Sequence, residues 1–328
     1  MVKIAMIGAG GIARRHRIAW KQQENVEAVG VADILQEKAT SAAADLGAEY
    51  STNNYMELLS NTDVDAVDIC TTENTHADIA VAAAEHGKHI LIEKPIATTI
   101  NDADRIIQAA SDNNIKLMIG QTHRFYDYSI SAKEAIMDGE IGTPVYLHYS
   151  TGGGFWNQDW TGNRISPGDT GGNIVTNGVH ITDLCNWWIG DKPISIYCQA
   201  LNQTSAHLKM NDYFIFTIKY SNGAIAVVEI SRANIPRTNQ FRSILLLGTD
   251  GQLSTGTQDE SQWVDNDRGL EFLGPEYNHG FTRMISEFVD CLEGNIPTPV
   301  SGDDAKLALE MCLAAEESLE TGEVVYLK

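Results

Sequence analysis

VKIAMIGAGGIARRH, residues 2–16, decides the fold. A short run rich in β-branched and apolar residues leads into Gly8-Ala9-Gly10-Gly11-Ile12-Ala13, which fits G-x-G-x-x-G/A, and the chain then takes on helical spacing. A second strand-like run, VEAVGVAD (26–33), ends on Asp33, twenty residues past Ala13. A strand, a glycine turn, a helix and an acid at that distance together specify dinucleotide binding. Gly8 permits the tight turn, Gly10 lets a pyrophosphate approach the backbone, and Ala13 keeps helix and strand close. Gly11 and Ile12 open the helix, whose N-terminus favours phosphate. Asp33, followed by Ile34, accepts hydrogen bonds from ribose hydroxyls and repels a 2′-phosphate. No basic residue follows until Lys38, so NAD is expected in preference to NADP. Asp33 can also cap the helix that starts in ILQEKA.

Working outward, three further β-branched runs, VDAVDIC (64–70), KHILIEK (88–94) and IKLMIG (115–120), alternate with Ala-rich helical segments. Gly47 and Gly87 stand where helices would be capped. Strands of this texture are buried on both faces, which predicts an α/β Rossmann-type doubly wound parallel sheet over residues 1–122. After Thr122 the alternation stops. The runs 144–151, 193–202, 212–231 and 241–255 have period-2 texture, with hairpin signals at SNG (221–223) and TDG (249–251). Helices are expected at about 171–189, 279–293 and 303–321. Residues 123–328 therefore read as an α+β domain with a largely antiparallel open sheet.

The composition excludes several functions. A formal charge of −21 repels nucleic acid and anionic membranes. No apolar stretch approaches the ~18 residues of a membrane span. Five scattered cysteines without a C-x-x-C pair read as buried thiols in a reducing cytoplasm. His180 and Asp183 offer two metal ligands but no third stands at useful spacing, so no metal is expected.

Two segments carry the reacting chemistry. Ile92-Glu93-Lys94-Pro95 ends a strand, and ligands of open α/β sheets sit at the carboxyl ends of strands. An ammonium there stabilises alkoxide character as hydride leaves the adjacent carbon. In a helix over 171–189, Asn173, Thr176, Asn177, His180 and Asp183 form one polar stripe, opposite Ile174, Val175, Val179, Ile181, Leu184, Cys185 and Trp188. Asn, Thr, His and Asp suit hydroxyl recognition, and His180 is the natural general base. The preceding connection, Gly152 to Gly172, is long enough to suggest function. Its Trp156 can stack on a sugar face, or it can anchor the loop or a subunit interface.

GAGGIA (8–13), TTENTHADIA (71–80), EKP (93–95) and GGNIVTNGVHITD (171–183), in that order, make the chain resemble the glucose-fructose oxidoreductase and inositol dehydrogenase (Gfo/Idh/MocA) family along essentially its whole length. The resemblance implies that Thr71, Asn74, His76, Glu93, Lys94 and Gln121 lie beside the cofactor, and that Lys94 and Arg124, the latter where the crossing to a substrate-binding domain begins, bind substrate. It also implies Lys94 and His180 as the catalytic pair. Two departures stand out: Thr72 replaces the proline of T-P-x-x-x-H, and Thr176 replaces the acid four residues before the histidine. Asp183 is the candidate to orient His180 instead. The implied activity is hydride transfer between NAD and a secondary alcohol of a sugar, polyol or sugar derivative. NAD-dependent glycoside hydrolysis and non-catalytic sugar or dinucleotide sensing remain alternatives on the same fold. An open sheet of this type implies a homodimer or homotetramer.

Overall fold

The computed structural model describes residues 1–154, 172–202, 211–234, 241–255, 261–266, 269–275 and 279–327, with 153–154, 172–173, 233–234, 261–266 and 269–275 described by their backbone. The chain folds into two compact units, Met1–Phe125 with His279–Lys306 and Tyr126–Asn278 with Leu307–Lys328.

The first unit opens with β1 (Val2–Ile7), α1 (Gly11–Trp20), β2 (Val26–Ala32), α2 (Gln36–Leu46), β3 (Tyr50–Thr52) and α3 (Tyr55–Leu59). It continues with β4 (Ala66–Ile69), α4 (His76–Glu85), β5 (His89–Glu93), α5 (Ile100–Asp112) and β6 (Leu117–Gly120). All six strands are parallel, in the order β3-β2-β1-β4-β5-β6. This is the expected doubly wound sheet. Its strand order reverses between β1 and β4, so the crevice for a ligand lies at their carboxyl ends. Ile4, Ala5, Met6, Val67, Ile69, Ile90, Leu91 and Ile92 are buried, as continuous apolar strands require. Gly47 ends α2 in the left-handed conformation at φ 81°, as its position in the sequence suggests. β3 has three residues, too few to show a period.

The second unit contains α6 (Asp127–Met137), β7 (Pro144–Gly154), α7 (Gly172–Ile189), β8 (Pro193–Leu201), β9 (Tyr213–Tyr220), β10 (Ile225–Asn234), β11 (Phe241–Gly248), β12 (Gly251–Thr255), β13 (Ser261–Asn266) and β14 (Gly269–Pro275). Helices α8 (Gly280–Glu293) and α9 (Gly302–Thr321) and the short β15 (Val325–Tyr326) follow. The sheet runs β14-β13-β12-β11-β7-β10-β9-β8-β15 among the described residues. Both expected hairpins form, β9 with β10 and β11 with β12. β7 and β10 pair in parallel, and topology explains this departure from antiparallel pairing. A strand-helix-strand crossover leaves β8 parallel to β7, and the β8-β9-β10 meander restores that direction at its third strand.

Residues 279–306 return to the first unit, and the boundary falls after Phe125 rather than after Thr122. The Phe288 ring of α8 meets Trp20 edge-on at 6.5 Å, Thr282 Oγ1 donates to Gln22 Oε1 at 3.0 Å, and Thr298 Oγ1 donates to Leu117 O at 2.8 Å. A linear reading of runs and periods carries no signal for such a return.

Candidate active site

β1 delivers the chain to Gly8, whose φ of +100° is open to glycine and strained for other residues. A Cβ there would lie 2.5 Å from the Cys70 carbonyl oxygen and 3.0 Å from Thr71 N, so glycine lets β1 and β4 end side by side. At Gly10 and Gly11 a Cβ would meet no atom within 4 Å. Gly10 caps α1 without a side-chain hydrogen bond. The first turn of α1 therefore presents backbone N–H groups beside open space, which fits a dinucleotide pyrophosphate. Ala13 is fully buried, as close packing of helix on strand demands. Asp33 Oδ2 accepts from Ala9 N at 2.8 Å and Oδ1 from Leu35 N at 2.9 Å. It thus ties the glycine turn to β2 and starts the chain toward α2, and each oxygen keeps a lone pair for a ribose hydroxyl. Ile34 is exposed.

Past β4, Thr75 Oγ1 lies 2.8 Å from Thr71 Oγ1 and 2.7 Å from Thr72 O, closing the turn that carries the exposed Asn74. His76 opens α4 fully buried, its Nδ1 2.9 Å from Pro95 O. A carbonyl only accepts, so Nδ1 carries the proton and Nε2 is an acceptor; it has no hydrogen-bond partner among the described residues. Burial holds the His76 pKa below its ordinary value, which keeps the ring neutral. A buried acceptor at this place fits a donor from a bound cofactor.

β5 ends on Glu93, buried, with Oε1 2.9 Å from His16 Nε2 and Oε2 accepting from Lys94 N at 3.1 Å. Gly120 on β6 allows this approach, since a Cβ there would lie 3.1 Å from Glu93 Oε1. Lys94 is half-buried, and the Lys94–Pro95 bond is cis. Gln121 is buried immediately after β6. Arg124 is buried where the crossing begins, and its Nη1 donates to Pro299 O at 3.1 Å and lies 3.5 Å from Asp304, which anchors the returning segment to the first unit. His16, which the sequence reading passed over, is fully buried with Nδ1 2.9 Å from Asp68 Oδ2. His16, Asp68 and Cys70 bring potential metal-ligating atoms within 4.8 Å of one another, but both ring nitrogens already face carboxylates.

In the second unit, α7 buries the expected apolar side, from Ile174 and Val175 to Cys185 and Trp188. Trp188 stacks on Tyr149 at 6.3 Å and its indole N–H donates to Ser129 O at 3.2 Å, which fixes the rotation of the helix. Thr176, Asn177 and His180 are half-buried on the other side. Asp183 is 1% exposed, so it belongs to the packed edge of the polar stripe. Arg232 on β10 is a residue the sequence reading missed, because nothing in a strand's period marks it. Its Nη2 donates to Asn177 Oδ1 at 2.6 Å. Arginine only donates, so the oxygen of Asn177 must face it and the amide NH₂ of Asn177 remains a donor. The side chain of Asn173 and the whole of Trp156 lie outside the described residues.

Comparison with known proteins places these features in context. Residues 2–121 match the Gfo/Idh/MocA oxidoreductase family, NAD-binding Rossmann fold, and residues 130–254 match a Gfo/Idh/MocA C-terminal domain. The chain is 25% identical to myo-inositol 2-dehydrogenase of Thermotoga maritima, over 97% of this chain and 96% of that protein. It is 26% identical to scyllo-inositol 2-dehydrogenase (NAD⁺) of Bacillus subtilis, over 99% and 96% respectively. Among solved structures, a levoglucosan dehydrogenase in complex with NADH superposes with a TM-score of 0.89 at 22% identity, covering 100% of this chain and 99% of that one.

Proposed function

Because the chain belongs to the Gfo/Idh/MocA family of NAD-binding oxidoreductases, we propose that it is a dehydrogenase acting on a secondary alcohol of a sugar, polyol or sugar derivative. The observation that carries this reading is Lys94 at the carboxyl end of β5, in a sheet whose glycine turn stands beside open space. The cofactor-holding residues are Gly8, Gly10, Gly11, Ile12 and Ala13 at the pyrophosphate, Asp33 and Ile34 at the ribose, and Thr71, Asn74, His76, Glu93, Lys94 and Gln121 toward the reacting end. Asp33 favours NAD over NADP by repelling a 2′-phosphate. When bound, NAD accepts the hydride.

His180 takes the hydroxyl proton, a task suited to an imidazole. Lys94 donates a hydrogen bond to the same oxygen and stabilises its developing negative charge. Asp183 supports His180 from one turn away. Asn173, Thr176, Asn177 and Trp156 bind the remaining hydroxyls, Asn177 through the NH₂ that Arg232 orients. Arg124 belongs to the same substrate-binding set, its Nη1 being held by Pro299 O. A sensor role is the second reading, favoured by Thr176 where inositol dehydrogenases carry an acid. The five cysteines are all buried thiols, in keeping with a reducing cytoplasm, and no helix among the described residues is long and apolar enough to cross a membrane.

The sheet of the second unit buries Leu147, Phe216, Val228 and Leu246 on one face and leaves Tyr146, Ile215, Val227, Leu245 and Leu247 partly exposed on the other. This favours a homodimer or homotetramer. A monomeric mass in light scattering at micromolar concentration would refute it.

Absorbance at 340 nm with NAD or NADP and a panel of inositols, aldoses and glycosides tests the activity. Turnover with NAD is expected, and Lys94→Ala should retain NAD binding while abolishing that turnover. Unchanged turnover in Lys94→Ala would remove the lysine from the mechanism. No turnover by a protein that holds NAD would favour the sensor.

A further inference from the structure

Lys94 is flanked by two residues, and each is held by a buried histidine. On one side Glu93 gives Oε2 to the Lys94 N–H and Oε1 to His16 Nε2, 2.9 Å away. The other nitrogen of His16 lies 2.9 and 3.1 Å from the two Asp68 oxygens. The ring thus sits between two carboxyl groups, a setting in which a doubly protonated imidazole can donate from both nitrogens. Burial opposes that charge, but the adjoining Asp68 carboxylate, helped by Cys70, holds the pKa of His16 well above its ordinary value. Asp68 is steadied in turn by the Trp20 indole N–H at 2.6 Å and the Cys70 thiol at 3.4 Å.

On the other side, Pro95 O accepts from His76 Nδ1 at 2.9 Å, and that ring is neutral. One histidine is a charged double donor and the other a neutral single donor. They reach the turn from α1 and α4, the helices that follow β1 and β4, so both reference the lysine to the crevice at the strand-order reversal.

We propose that His16, through Glu93 and Asp68, and His76, through Pro95, are positioning residues that clamp the main chain on both sides of Lys94 and thereby fix where its ammonium meets the substrate oxygen. The proposal rests on the reading of Lys94 as the group that meets that oxygen. Neither histidine needs to touch substrate for this role. Each sets the Lys94 backbone through a single hydrogen bond to a neighbour, and rigid packing transmits the position to the side chain.

The test uses near-isosteric variants of the whole protein. Glu93→Gln cannot accept from both His16 and Lys94 with the same strength. His76→Leu removes the donor to Pro95 O, and His76→Asn restores a donor near the Nδ1 position. Expected are falls in kcat of about tenfold to a hundredfold for Glu93→Gln, the range that loss of a charged hydrogen bond carries into a rate, and of about twofold to tenfold for His76→Leu, whose hydrogen bond joins two neutral groups. The changes in alcohol KM should be smaller, and His76→Asn should recover most of the rate. Nitrogen-15 spectra of the wild type should show one imidazole doubly protonated at pH 7.5 and one protonated at Nδ1 alone. In protein with carbon-13 dimethylated lysines, the Lys94 signal, assigned through Lys94→Arg, should shift in Glu93→Gln and His76→Leu and return in His76→Asn. Folded variants with unchanged kcat and an unchanged Lys94 signal would overturn the clamp, as would a neutral His16. If the wild type oxidises no alcohol, the dehydrogenase reading fails, while the two spectroscopic readouts still decide the clamp.

Discussion

Two glycines of one turn should fail in opposite ways. At Gly8 a methyl group would sit 2.5 Å from the Cys70 carbonyl oxygen and 2.7 Å from its carbon, both backbone atoms that cannot rotate away, at a φ of +100°. The left-handed conformation costs about 1–2 kcal/mol for a residue with a Cβ. Displacing packed backbone adds about 1–3 kcal/mol. Gly8→Ala should therefore destabilise by roughly 2–5 kcal/mol and, in a chain of 328 residues, lower the melting temperature by about 3–7 °C. Gly10 has φ −74° and no atom within 4 Å of its ideal Cβ, so alanine fits the folded chain and costs at most about 1 kcal/mol as a poorer helix cap. The methyl group instead occupies space a pyrophosphate must enter, and NAD affinity should fall at least ~tenfold. Thermal melts by circular dichroism and calorimetric titration with NAD read the two effects separately. A Gly8→Ala protein melting within about 2 °C of wild type, or a Gly10→Ala protein binding NAD as wild type does, would refute the reasoning.

Burial, aided by Glu320, pushes the Glu316 carboxyl up to about 7. Its folded pKa thus exceeds the unfolded value near 4.3, so the stability it contributes is complete below that value and is lost as pH rises through about 7. After allowance for partial exposure, Glu316→Gln should gain about 1–2 kcal/mol at pH 8 and almost nothing at pH 4, and denaturant titrations giving equal gains at both would sink the assignment. Thr176→Asp places a carboxylate one helical turn before His180. It should raise the acidic limb of the kcat/KM profile by about one pH unit, and an unmoved limb would argue against His180 as the base.

Much of this was legible in the sequence, for reasons that differ by element. The first sheet announced itself because strands buried on both faces must be apolar throughout and because a dinucleotide needs glycine at fixed places. The buried side of α7 followed residue by residue from its 3.6-residue period. Asp33 stands out in the sequence by its distance from the glycine turn, whereas Gln121 is singled out only by the family resemblance. The rest depended on partners distant in sequence. Arg232 faces Asn177 across 55 positions, and nothing local marks either as the other's partner. Nothing near Arg124 in sequence marks Pro299, 175 positions on, whose carbonyl accepts from its Nη1. His16 drew no reading from the sequence, because only folding brings Asp68 and Glu93 to its two nitrogens.

The return of residues 279–306 also orders events during synthesis. The ribosome releases β1 to β6 early, but α8, which covers Trp20 with Phe288 and supports Phe125 O through Arg283 at 3.1 Å, emerges only after residues 126–278. At typical translation rates that interval is about 10–30 s. Throughout it the nascent dinucleotide-binding unit stands with an apolar flank uncovered, exposed to chaperones and to other emerging chains. Truncation after residue 122 would make that transient state permanent, so the cofactor unit is continuous in its sheet yet not separable from the rest of the polypeptide.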